Sequence, residues 1–117
     1  MLKTTPELLR EIENQVRVVN AATALAESRA EDGIIIDVRE YDEVDMKTAR
    51  GTVHVSRGML EFKLPQLCPE HDRPIYVHCA SGGRARLAVE QLQRLGYTRV
   101  AAISCSFEEI CKIFDQP

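Results

Sequence analysis

Ile34-Ile35-Ile36-Asp37-Val38 constrains the fold of this chain more than any other stretch. It is continuously apolar up to Asp37 rather than alternating, which is the pattern of a strand buried on both faces, and hence of a central strand in a parallel sheet. Four further segments read as strands: the alternating Gln15-Val16-Arg17-Val18-Val19, the short Gly51-Thr52-Val53-His54-Val55, Ile75-Tyr76-Val77 after Pro74, and Val100-Ala101-Ala102-Ile103. Helical patterns fall between them. Asn20 is a good N-cap for a helix through Ala21, Ala22, Leu25 and Ala26 that ends at Asp32-Gly33. Ala85, Ala88, Val89, Leu92 and Leu95 recur at helical spacing, with Gly96 placed to stop that helix. Tyr41 to Arg50 reads as polar and irregular, with about one helical turn. Arg57 to Phe62 reads as a turn into a short helix stopped by Pro65, and a last helix covers Phe107 to Phe114. Strands alternating with helices predict an α/β domain with a mainly parallel five-stranded sheet flanked by helices.

A chain of 117 residues, 44% apolar and 28% charged, has the size and composition of a single globular domain. Residues 15–117 are expected to form it. Residues 1–14 are expected to make a leading helix or arm, with Thr5 as N-cap and Pro6 at the first helical position. A net charge of −3 with scattered arginines argues against a nucleic-acid partner. No run approaches the length of a membrane span, and the start has no apolar core of a leader, so a cytoplasmic location with reduced thiols is expected. The four cysteines and three histidines include no Cys-x-x-Cys pair and no histidine pair at ligand spacing, so no metal site is expected.

The chemistry concentrates at Val77-His78-Cys79-Ala80-Ser81-Gly82-Gly83-Arg84-Ala85-Arg86. Here a strand stops at a cysteine, a glycine-containing loop follows, and a helix begins. The amides of Ala80, Ser81, Gly82, Gly83 and Arg84 can converge on one point, where the helix N-terminus adds positive potential. Thiols placed there beside cations are shifted toward the nucleophilic thiolate, and Arg84 and Arg86 supply the cations. Cys79 is therefore the candidate nucleophile, against the alternative of a small buried hydrophobe. Asp37 and Arg39 stand at the C-terminal end of their strand, near the usual ligand crevice of a parallel sheet. A buried ion pair fixing the loop is the favoured reading of the two, and direct contact with substrate is the other.

Ile36-Asp37-Val38-Arg39-Glu40, His54-Val55-Ser56-Arg57-Gly58-Met59-Leu60-Glu61-Phe62, the loop of residues 77–86 and Leu95-Gly96-Tyr97-Thr98-Arg99-Val100 together resemble the rhodanese domain, in its single-domain sulfurtransferase form. The resemblance implies a three-layer fold around a five-stranded parallel sheet, with the loop cradling an anion. It implies that Cys79 takes a sulfane sulfur from a donor such as thiosulfate, holds it as a persulfide without a cofactor, and passes it to cyanide, a thiol or a protein cysteine. Arg84 and Arg86 would help bind the donor. The chain departs from the family at Lys47-Thr48-Ala49-Arg50-Gly51, where Gly-His-Ile-Pro-Gly is common, and at Cys105-Ser106-Phe107, where Gly-Gly-Phe is usual. In the family's sheet Cys105 would follow the strand beside that of Cys79. A sulfur relay or disulfide between the two is one reading, and Cys105 as a mere space-filler is the favoured one. Two rival functions are a regulatory module that binds a protein partner and a cysteine phosphatase. Phosphatase loops hold five residues between cysteine and arginine, whereas this loop has four, Ala80 to Gly83, and Ala85 stands where phosphatases usually place a hydroxyl.

Overall fold

The computed structural model describes residues 1–115; the last two residues of the expected domain, 116 and 117, lie outside them. Five strands form one sheet: β1 (Arg17–Val19), β2 (Ile34–Asp37), β3 (Val53–His54), β4 (Ile75–His78) and β5 (Val100–Ile103). They lie in the order β1-β5-β4-β2-β3, with every pair parallel. Each neighbouring pair joined by a crossover therefore needs helices to cover the sheet. These are α1 (Thr5–Ile12), α2 (Ala21–Glu31), α3 (Tyr41–Met46), α4 (Leu60–Leu67), α5 (Gly83–Leu95) and α6 (Phe107–Phe114).

Strand pleating divides the apolar residues between two cores. Ile36, Ile75, Val77, Val100 and Ala102 face α1, α4 and α5, packing with Ile12, Leu60, Leu64, Ala85, Ala88, Val89 and Leu92. Ile35, Tyr76, Ala101 and Ile103 face α2 and α6, packing with Ala21, Ala24, Ile110, Cys111 and Phe114. The isoleucine run is thus consumed on both sides. The three-layer α/β fold is the one the strand pattern requires. No helix among the described residues is long and apolar enough to cross a membrane.

Three local expectations are corrected. The cap of α1 is Thr4, whose Oγ1 accepts from the Glu7 amide at 3.2 Å, so Pro6 sits second in the helix rather than first. Pro65 does not stop α4. It removes one backbone donor, but burial of Leu60 and Leu64 holds the helix, which closes where the Cys68 amide donates to the Leu64 carbonyl at 2.7 Å. Residues 41–46 form a true helix, although no apolar stripe marks it. Its first turn is held by a capping box in which Glu40 is the N-cap and Glu43 accepts from the Glu40 amide at 3.1 Å. The expected end of α2 at Asp32-Gly33 is observed, with Asp32 in the left-handed conformation at φ of 54°.

Candidate active site

Cys79 follows β4, and α5 begins four residues later. The turn between them depends on Gly82, whose φ of +99° disfavours any residue with a Cβ. Gly82 is also the N-cap of α5 and has no side chain to offer the free amides of the first turn. The sulfur of Cys79 takes that role. It accepts from the Gly82 amide at 3.1 Å and from the Ala85 amide, in the third helical position, at 3.4 Å. A serine or aspartate cap satisfies an amide at that position in other helices. Here the helix's free donors point at a thiol instead, where they favour negative charge. The sulfur lies deep, with Cys79 only 1% exposed.

The structure distributes the other expected site residues unevenly. Ala85, just past the expected amide set, donates to the sulfur. Ala80 turns its carbonyl away, accepting from the Phe107 amide at 3.0 Å, and so ties the loop to α6. Ser81 is exposed at the tip of the loop, and Gly83 lies beside the Leu9 side chain of α1. Arg86 donates from Nε to the Gly82 carbonyl at 3.2 Å and borders a groove with Pro6, Leu9, Arg10 and Glu13.

Arg84 is engaged by a residue the sequence pattern did not single out. Its Nη1 and Nη2 donate to Oε1 and Oε2 of Glu43 at 2.6 and 2.9 Å, a bidentate pair. That guanidinium is the main cause holding the Glu43 carboxyl at about 2, with the Glu40 amide adding to it. The Glu40-x-x-Glu43 spacing of a capping box was the available signal for this helix, in a stretch that otherwise reads as irregular.

Asp37 and Arg39 do pair, and the pair is buried. Arg39 donates from Nη2 to Asp37 Oδ2 at 2.8 Å and from Nε to both carboxylate oxygens at 3.1 Å. The Arg39 amide also donates to Asp37 Oδ1 at 2.9 Å. The guanidinium then binds the Lys47 carbonyl at 2.7 Å and lies 3.7 Å from the ring centroid of Phe107. It thus gathers the reshaped 47–51 loop and the start of α6 around the C-terminal ends of the strands. His78 points to the same side of the sheet, opposite to Cys79. It is fully buried, stacks near Phe107 and comes within 3.8 Å of Asp37, yet neither ring nitrogen has a hydrogen-bond partner among the described residues. Burial is the main cause pushing its pKa down, partly opposed by Asp37.

Cys105 packs against the α2–α6 core, while Cys79 belongs to the α1–α4–α5 core. Its sulfur accepts from the Ala21 amide at 3.2 Å. All four cysteines are free thiols.

A parallel α/β sheet with a thiol at a strand's C-terminal end, cradled by a helix N-terminus, places the chain among open α/β domains whose ligand crevice lies at the strand ends. The particular family follows from comparison with known proteins: the model of the rhodanese-like domain matches residues 20–113. The chain belongs to the rhodanese-like domain family. It is 36% identical over 67 residues to a tRNA sulfurtransferase of Desulfurococcus amylolyticus; the match takes in 56% of this chain but only 12% of that enzyme's length. Among solved structures, a protein of unknown function from Rhodopseudomonas palustris, described as a possible tyrosine phosphatase, superposes with a TM-score of 0.82 at 29% identity over 96% of this chain and 92% of that one. A thiosulfate sulfurtransferase from Pseudomonas aeruginosa superposes with a TM-score of 0.69 at 27% identity, over 82% of this chain and 19% of that one.

Proposed function

We propose that the chain is a sulfurtransferase in which Cys79 carries a sulfane sulfur as a persulfide. The observation that carries this reading is the pair of amides, Gly82 and Ala85, aimed at a sulfur that already sits at the base of the loop. A persulfide extends the chain by one sulfur atom, about 2.05 Å beyond Sγ. The helix N-terminus favours the anion there, beside the amides of Gly82 and Ala85.

In the first half-reaction the Cys79 thiolate attacks the outer sulfur of a donor. The new S–S bond forms as the donor's sulfur–sulfur bond breaks, and the electron pair leaves with the donor's remainder, sulfite when the donor is thiosulfate. In the second, the outer persulfide sulfur is attacked by a thiol, a protein cysteine or cyanide, and Cys79 leaves as the thiolate. No cofactor takes part. Asp37 and Arg39 act by holding the surrounding loops, and the chemistry calls for the reduced thiols found in cytoplasm.

The R. palustris neighbour makes phosphate ester hydrolysis the rival. Two features favour sulfur. Four residues separate Cys79 from Arg84, a small cradle for a tetrahedral phosphate, and Ala85 cannot assist a leaving thiolate as a hydroxyl would. Intact mass after thiosulfate treatment tests the choice. One added sulfur, discharged by cyanide as thiocyanate and absent in Cys79→Ser, is expected. Failure to take up sulfur, together with Cys79-dependent hydrolysis of an aryl phosphate, would overturn it.

A further inference from the structure

Resting on the sulfur-transfer reading, we propose that the groove between α1 and Arg86 is a subsite for the acceptor, and that its arginines select a small thiol carrying a carboxylate beside an N–H group. Residues 1–14, expected as a leading helix or arm, supply one wall. Pro6, Leu9, Arg10 and Glu13 come from that arm, and Arg86 from the first turn of α5. The arm is a fixture. Ile12 and Val16 are buried in the core that also holds Cys79, Leu9 packs against it, and Gln93 donates to the Gln15 carbonyl at 2.9 Å. The groove also adjoins the nucleophile's own loop. Leu9 is what a Cβ on Gly83 would meet, at 3.8 Å, and Arg86 donates from Nε to the carbonyl of Gly82, whose amide donates to Cys79 Sγ.

The lining defines the ligand. Arg10 is exposed in the last turn of α1, and neither its guanidinium nor the Nη groups of Arg86 hold a partner among the described residues. Two cations against the single carboxylate of Glu13 leave the groove positive on a chain whose net charge is −3. A carboxylate meets the guanidinium groups by charge-assisted hydrogen bonds, an N–H of the same molecule donates to Glu13, and the carbon skeleton lies along Pro6 and Leu9. The groove measures about 400 Å³, room for a small organic thiol. In the transfer step the acceptor R–SH gives its proton to the outer sulfur of Cys79–S–S⁻ as its own sulfur attacks that atom. The new S–S bond forms, the bond from Sγ breaks, and its electron pair stays on Cys79 as the thiolate while R–S–SH leaves.

Single-turnover discharge tests this. Cys79 is loaded with thiosulfate or inorganic polysulfide, and loss of the added sulfur is followed by intact mass, with N-acetylcysteine and its neutral amide as acceptors. The ratio of the two rates, compared between proteins, cancels the thiols' own reactivity. Arg10→Gln is expected to lower that ratio about threefold, and Glu13→Gln to raise it by about as much. Arg86 is kept, since it also holds the Gly82 carbonyl. Any other pattern in the folded variants, including parallel loss of both acceptors, overturns the groove's role. Wild type decides the matter even if a variant fails to fold. Its ratio should fall as salt screens the arginines, against the trend of a net negative chain, and a ratio that holds or rises with salt overturns the groove's role. A loaded Cys79 that neither thiol discharges also overturns that role alone. Loading by neither donor overturns the sulfur-transfer reading and this inference with it.

Discussion

Two carboxylate–guanidinium pairs stand at the same rim of the sheet, alike in chemistry and opposite in surroundings. Asp37 and Arg39 are 1% and 5% exposed at their side chains, whereas Glu43 and Arg84 are 31% and 36% exposed. The buried pair is surrounded by its own consequences: the Lys47 carbonyl and the Phe107 ring both pack where Arg39 lies. The outer pair touches the nucleophile's loop but supports little of the core. Burial thus separates a pair that builds the rim from one that only borders the loop of Cys79. Removing one partner should be ruinous in the first case and nearly silent for stability in the second.

Arg39→Leu should produce the largest effect, a loss of about 3–5 kcal/mol, because it strands the Asp37 carboxylate in the interior. Urea denaturation measures it. The double variant Asp37→Leu/Arg39→Leu sharpens the comparison: it should recover much of that loss if the isolated charge is the cause. A double variant as unstable as the single one would mean that the lost carbonyl and ring contacts of Arg39 dominate.

Gly82→Ala comes next. The left-handed backbone should cost roughly 1–2 kcal/mol, since a Cβ strains that conformation. The added Cβ would meet only ordinary contacts, the Ile103 carbonyl and Ser104 at 3.7 Å, so the effect is conformational rather than steric. Because the Gly82 amide points at Cys79, the variant should also lose cyanide-labile sulfur faster than wild type after loading. Unchanged retention would show that the Ala85 amide suffices.

His78 offers a third break, beside the buried pair. Its folded pKa lies below the ordinary value of 6.5, mainly through burial, so the unfolded state binds the proton more readily. The stability this contributes is present above about pH 6.5 and is lost as pH falls from there toward the folded value, at no more than about 1.4 kcal/mol per pH unit for one proton. Thermal denaturation across this range should show that slope in wild type and not in His78→Leu. An identical slope in both would move its origin to other groups.

How much of this was legible in the sequence depends on which physics placed each residue. Apolar continuity and period placed the five strands, and Phe107–Phe114 was read with its observed bounds, because burial on a packed face writes itself into spacing. Cys79 was legible through the glycine-bearing junction of strand and helix. Glu43 was not. Its helix has no buried residue, and the partner of its carboxylate, Arg84, comes within reach only once β2 and β4 lie side by side. The amide of Ala85 was missed for a related reason: the left-handed turn at Gly82, not the length of the loop, decides which N–H groups face the sulfur. The face taken by Cys105 likewise follows from the turn after β5 and from its contact with Ala21, neither of which has a pattern in the chain.

The smallest effect belongs to the outer pair. Glu43→Gln should change stability by less than about 1 kcal/mol at neutral pH, since the pair is a third exposed and solvent screens it. Its pH dependence identifies it. The Glu43 carboxyl lies at about 2 in the folded chain, below its ordinary value of 4.5, chiefly because Arg84 binds the charged form. The stability it contributes is therefore present above about pH 4.5 and is lost as pH falls toward 2. Wild type and Glu43→Gln should differ by the same small amount at all higher pH and converge below that window. A gap that persists unchanged to the bottom of that window would give its origin to a group other than the Glu43 carboxylate.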